Sequence, residues 1–307
     1  MATNSNVAMP IAQVAKQHAR KNPKYSVLGI IYGSAVAVFY SIFFLIPFGT
    51  AIWLAFQNWD YLTTPKFVGT RNFAKALRDN YFWQALKVTA SFSVFEISIG
   101  VSLALLLALM LNQMRGKWQN LFLSLYYLPV VTPGVVSIYL WRWLYRPTGG
   151  AFNTVLDSLG LPQQQFLNSP NQALWCIIAF VIWANVGGAA VILLAGMNDV
   201  PEHLYEAARL DGAGFWRIFF RITIPLIRPV LAYQVVVSVI GTVQMFDVFF
   251  LMGGPGFSTR TLALYTYQLG FQNLNLGYGA AVSIIIFLML LVATVVQLQR
   301  WQVTWEY

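Results

Sequence analysis

Residues 201–229 read "PEHLYEAARLDGAGFWRIFFRITIPLIRP". Glu202, Glu206 and Asp211 stand here with Arg209, Arg217, Arg221 and Arg228, although only 9% of the chain is charged. Apolar segments flank the stretch on both sides. Pro201 suits a first helical position, because it has no N–H to lose. Glu202 follows in the first turn, where the helix dipole favours an acid. Leu204, Ala207, Ala208 and Asp211 fall at i, i+3, i+4 and i+7, on one face. Gly212 then supplies a stop that tolerates left-handed geometry. A second helix is expected from about Phe215 to Thr223, ending before Pro225, which disfavours helix at the residue ahead of it. The spacing predicts two short helices that meet at a glycine, outside the membrane. Ala207 and Ala208 make one side thin, so that a partner's groove can approach the backbone between the flanking charges of Glu206 and Asp211. Two other readings stay open. Glu206 and Arg209 can satisfy each other at i, i+3, or the Phe/Trp/Arg half can lie flat on the lipid surface.

The surrounding composition sets the frame. The 307 residues are 58% hydrophobic and 16% aromatic, with a mean hydropathy of +0.61. A bilayer core needs about 20 apolar residues as helix. Six segments meet that length, at approximately 28–56, 88–112, 121–141, 173–197, 230–253 and 278–297. A soluble globular fold is thereby excluded. The runs do not alternate with period two, which excludes a membrane β-barrel. The expected class is an all-α integral membrane protein of six transmembrane helices. Residues 1–27 form an N-terminal tail, 28–297 the membrane domain with the charged loop 198–229 inside it, and 298–307 a C-terminal tail.

The net charge of +9 follows topology, and no nucleic-acid partner is expected. With the N-terminus cytoplasmic, inner segments hold eleven bases: Lys16, Arg20, Lys21, Lys24, Arg115, Lys117, Arg209, Arg217, Arg221, Arg228 and Arg300. Outer loops hold six, Lys66, Arg71, Lys75, Arg78, Arg146 and Arg260. The excess places both termini inside. No cleavable signal peptide is evident, because the first apolar run is too long. The tail "KQHARKNPK" serves as a topology signal or binds anionic membrane lipid. Cys176 is alone within a span, and His18 and His203 lack ligand spacing, so no metal is assigned.

Glu206-Ala207-Ala208, Gly212, Ile222 and Pro225 resemble the EAA loop of permease subunits of ATP-binding-cassette importers. Ile224 stands where that family has leucine. "EAARLDGAGFW" is similar to the carbohydrate-uptake branch, of the first-permease, maltose-F-like type. "FVGTRNFAKAL" with "FWQALKVT", "FDVFFLMGGPGFST" and "GYGAAVS" extend the resemblance over most of the chain. The resemblance implies a type I importer permease in a bacterial-type inner membrane. Its loop, with Glu206, Ala207, Ala208, Asp211 and Gly212, would form the coupling helix seated in a cytoplasmic ATPase. The implied partners are a second related permease, two ATP-binding subunits and an extracytoplasmic solute-binding protein. ATP and Mg would be used by the partner ATPase, with no cofactor on this chain. The absence of a G-x-x-x-x-G-K phosphate loop agrees with that division. The implied cargo is a sugar, oligosaccharide or polyol, with a phosphorylated polyol such as glycerol phosphate as the alternative. A stand-alone secondary transporter would carry repeats and more spans.

Polar residues inside spans are the remaining candidates. Glu96 lies near mid-membrane, and a structural hydrogen bond is expected for it. Gln234, Ser238, Gly241 and Thr242 fall within about 100° on a helical wheel, with Gln244 at the edge, either lining a hydrated path or packing against a helix. Asp247 is rotated roughly 140° from that stripe, so it is expected to anchor a neighbouring helix or a gate unless the helix is broken. Trp183, Asn185, Gly187 and Gly188 interrupt span four, as broken transport helices do. Asn185 suits a sugar hydroxyl and Trp183 a sugar ring.

Overall fold

The computed structural model describes residues 23–301 apart from residue 115. Most of the basic N-terminal tail, Arg115 and the end of the C-terminal tail lie outside the described residues. The described residues form two compact units that divide between Trp53 and Leu54.

In the first unit, α1 (Pro23–Tyr40) passes through a π-helical turn (Ser41–Leu45) into α2 (Ile46–Ala55), whose last two residues belong to the second unit. The candidate span Val27–Ala55 is 29 residues long and uncharged. None of the described side chains from 27 to 53 is buried within the chain. A helix apolar on every side is stable where lipid or another protein covers it.

The second unit begins with a short ribbon, β1 (Gln57–Asn58) antiparallel to β2 (Lys66–Phe67), with Gln57 opposite Phe67. An amphipathic helix, α3 (Arg71–Arg78), leads into α4 (Asn80–Gln113), the longest element at 34 residues. Asp79 caps α4 by accepting from the Tyr81 N–H at 2.8 Å. α5 (Lys117–Val131) and α6 (Gly134–Leu144) follow, then α7 (Ala151–Ser158) and α8 (Ala173–Asn198). The charged loop leads to α12 (Arg228–Gln244) through elements described below. α13 (Asp247–Met252), α14 (Leu262–Tyr267), a π-helical turn (Gln268–Gln272) and α15 (Leu276–Arg300) complete the unit.

Three helices, α4, α8 and α15, are unbroken and long and apolar enough to span a membrane, with α4 beginning about two turns earlier than expected. The third span is bent instead. α5 and α6 meet at 94°, because Pro133 forces Thr132 into an extended conformation with ψ 134°. The Thr132 hydroxyl then satisfies the Leu128 carbonyl at 2.9 Å. The fourth span corrects the expectation of a break: α8 is continuous through Trp183, Asn185, Gly187 and Gly188. Gly187 serves packing instead. A Cβ at Gly187 would overlap the backbone carbonyl of Tyr126, so α5 crosses α8 at backbone contact.

Apolar side chains from these helices meet in successive layers. One joins Phe92, Ile177 and Phe249. A second joins Leu111, Leu193, Phe219 and Ile227 at the end nearest the charged loop. A third joins Phe82, Leu262 and Val282 toward the opposite end. There, Tyr265 and Tyr278 donate their hydroxyls to Asp79 Oδ2 at 2.5 and 2.6 Å, tying the start of α4 to α14 and α15. Burial works to raise the Asp79 pKa, but the two tyrosines and the backbone N–H groups of Tyr81 and Phe82 outweigh it and hold it below its ordinary value. A carboxyl so lowered stabilises the fold above the unfolded value of about 3.9. That contribution is lost as pH falls through the lowered value. Asp79→Asn is therefore expected to reduce the melting temperature by several degrees near neutrality. It should also flatten the fall in melting temperature on acidification, read by thermal unfolding in detergent.

Candidate functional site

The charged stretch folds as two helical pieces. α9 (Glu202–Leu210) starts after Pro201, which holds extended geometry, and carries Glu202 in its first turn. Gly212 has φ +74°. Its N–H donates to the Arg209 carbonyl at 3.0 Å, and the Ala213 N–H donates to the Ala208 carbonyl at 2.9 Å. This pair of bonds is a Schellman motif, which closes the free carbonyls of the last turn and needs a residue at positive φ.

Beyond it, α10 (Phe215–Ile218) passes through a π-helical turn (Phe219–Thr223) into α11 (Ile224–Leu226). The second helix thus runs through Pro225 rather than ending before it. A widened turn just ahead of a proline accommodates a ring that would clash with a carbonyl in a regular helix. The break falls instead at Ile227, where the loop piece and α12 meet at 67°.

The two pieces lean on each other and on the bundle. Leu204 and Tyr205 pack with Phe219 and Ile227, and the Thr223 hydroxyl donates to Tyr205 Oη at 3.4 Å. This leaves Glu206, Ala207, Leu210, Asp211 and Gly212 exposed, with Ala208 half-buried. Leu210 is 89% exposed, an apolar side chain standing clear at the end of a charged helix. Phe215, Trp216 and Phe220 are also exposed, beside Arg217 and Arg221.

Within the spans, the stripe of Gln234, Ser238, Gly241 and Thr242 does not line one surface. Gln234 and Thr242 are buried inside the chain, and the Thr242 hydroxyl is spent on its own helix, donating to the Ser238 carbonyl at 2.9 Å. Ser238 is half-buried, while Gly241 and Gln244 are exposed together with Tyr233 and Val237. Asp247 stands on a separate helix, since α12 stops at Gln244 and α13 restarts at Asp247. The wheel angle that set it apart from the stripe therefore does not apply. Asp247 is exposed, and no hydrogen bond anchors it to another described residue. Trp183 is half-buried, 5.3 Å from the Trp141 ring and 6.2 Å from the Phe180 ring, centroid to centroid. Asn185 is exposed on α8.

Glu96 differs most from its expected surroundings. It makes no structural hydrogen bond: its Oε2 atom is buried without a partner. It borders a small cavity that also touches Asn185, Gln234 and Ser238. Three spans each contribute polar groups to this one place. Nothing in the sequence of span two signals that convergence, because the partners lie on other helices.

Helices apolar on their outer faces, two bent spans and an exposed charged helix between spans mark a multi-pass membrane protein. The chain belongs to the binding-protein-dependent transport system inner membrane component family, whose model matches residues 100–304. It is a transport component, not an enzyme. It is 32% identical to the trehalose/maltose transport system permease protein MalF of Thermococcus litoralis, over 84% of this chain and 88% of that one. It is 34% identical to the sn-glycerol-3-phosphate transport system permease protein UgpA of Yersinia pestis, over 84% of this chain and 88% of that one. Among solved structures, a chain of a bacterial alginate ABC transporter, in complex with an alginate pentasaccharide-bound periplasmic protein, aligns with a TM-score of 0.81. It is 25% identical, over 91% of this chain and 95% of that one.

Proposed function

We propose that this chain is one of two related permeases in an ATP-driven importer for a sugar, oligosaccharide or polyol. An extracytoplasmic binding protein delivers the cargo, and two cytoplasmic subunits bind ATP with Mg. Both termini face the cytoplasm, a reading supported by the excess of bases on the segments between even- and odd-numbered spans. The observation that carries the proposal is α9 with its Schellman stop. Glu206, Ala207, Leu210 and Asp211 project from a helix anchored through Leu204 and Tyr205 to the cores of α4, α8 and α12. A motor subunit that grips this helix acts directly on α8 and α12, which it joins.

Mild-detergent purification of the tagged chain from its native membrane tests the proposal. A co-purifying ATPase and a second six-span permease are expected, and the ligand on the accompanying binding protein identifies the cargo. Recovery of the chain alone under several detergents would refute the importer reading and favour a lipid-bound role for Phe215, Trp216 and Phe220. Asn185 is the first candidate for a sugar hydroxyl: it is a polar side chain exposed at mid-helix on α8. Asn185→Ala is expected to weaken uptake of that cargo several-fold with unchanged assembly. Unchanged uptake would make Asn185 a packing residue.

Glycerol phosphate is the second reading, favoured by the likeness to the glycerol-phosphate permease. No arginine lies deep in a described span to meet a phosphate, so a neutral cargo takes precedence.

A further inference from the structure

Glu96 on α4 and Gln234 on α12 are 7% and 8% exposed. Glu96 Oε2 and Gln234 Oε1 are both buried without a hydrogen-bond partner. The two side chains border one cavity of about 30 Å³, together with Asn185 and Ser238. Gly100 also lines the cavity, one turn along α4 from Glu96. The Gln234 amide is already oriented, because its Nε2 donates to Ser238 Oγ at 3.3 Å. That bond points Oε1 away from Ser238 and leaves it in need of a donor.

Buried polar atoms are rarely left unmet, since desolvation costs more than a weak hydrogen bond returns. A cavity holds a water when it offers roughly 10–15 Å³ of space or more and two to four polar partners. This one passes both tests. We propose that one water molecule occupies it, bonded to Glu96 Oε2 and donating to Gln234 Oε1. Water meets the carboxyl group in either protonation state, because it donates to a carboxylate and accepts from a carboxylic acid. A bound cation would meet only the first.

The water fastens α4 to α12 through polar bonds. α12 is the span that continues from the charged loop through Ile227. The site thus links the helix that a motor would move to the longest helix of the bundle. Only this significance rests on the proposed coupling role; the water site stands on the cavity and its two unmet acceptors.

The first test is a high-resolution cryo-electron microscopy map of the wild-type chain in its native complex. A peak within hydrogen-bond reach of both Glu96 Oε2 and Gln234 Oε1 is expected. An empty cavity, in a map that resolves other buried waters, would overturn the proposal. The second test is a thermal double-mutant cycle in detergent. Glu96→Leu and Gln234→Leu should each lower the melting temperature by about 2–10 °C. The double variant should fall no further than the worse single one, because either change alone already breaks the bridge. Additive losses would overturn the bridge. Glu96→Gln, which keeps an oxygen facing the water, should recover most of the loss, and a variant as unstable as Glu96→Leu would count against it. If the density is present but no ATPase co-purifies with the chain, the water site survives and the coupling reading fails.

Discussion

Gly212→Pro is expected to abolish ATP hydrolysis driven by the loaded binding protein, while the chain still inserts into the membrane in normal amount. Gly212 holds φ +74°, and proline is confined to about −65°. The substitution also deletes the N–H that donates to the Arg209 carbonyl at 3.0 Å. Together these undo the Schellman motif and redirect the chain where α9 turns back toward α10. The strain is on the order of 3 kcal/mol, and it falls on an exposed turn with no atom within 4 Å of the Cβ position. The bundle therefore stays folded while the docking helix is misplaced. A loss of docking free energy of that size corresponds to about a hundredfold weaker engagement. Gly212→Ala should be milder, because an L-residue visits left-handed geometry at about 1–2 kcal/mol. The measurement is ATPase activity of the reconstituted complex with loaded binding protein. Normal stimulation in Gly212→Pro would rule out docking through α9.

Gly187→Val is expected to produce the largest loss of folded protein. Its Cβ would overlap the carbonyl of Tyr126, a backbone atom that cannot rotate aside. Relief requires α5 to move away from α8 along its length. Overpacking usually costs about 1–3 kcal/mol, and a helix displacement exceeds the low end of that range. We expect little chain in the membrane fraction, or a melting temperature lower by roughly 5 °C or more. Gly188→Ala is the matched control: its Cβ would sit 3.6 Å from Val130 Cγ2, an ordinary contact. If Gly187→Val melts with the wild type, backbone contact between α5 and α8 is not a feature of the folded chain.

These two glycines show different degrees of legibility. Gly212 was readable because a helix stop is local: a nine-residue helix with an acid in its first turn and a glycine just past its C-cap carries its own geometry. Gly187 was legible only as an interruption of an apolar run, and a break in the helix and close packing give the same signal. The choice depends on whether another backbone lies opposite, which Tyr126 settles.

Six apolar lengths, the loop helix and its αL stop were set by the chain itself, since each depends on residues within a few turns of one another. The 94° bend was half-visible in Pro133, but its angle depends on how α6 packs. What the tertiary structure alone decided is the company kept by the polar residues. Thr242 is buried inside the chain, Trp183 joins an aromatic cluster, and Glu96 meets Asn185, Gln234 and Ser238 across three spans. Hydropathy and periodicity report which face of a helix is polar; they carry no term for the helix that lies opposite, and it is the opposing helix that determines whether a buried polar group is paired, hydrated or left unmet.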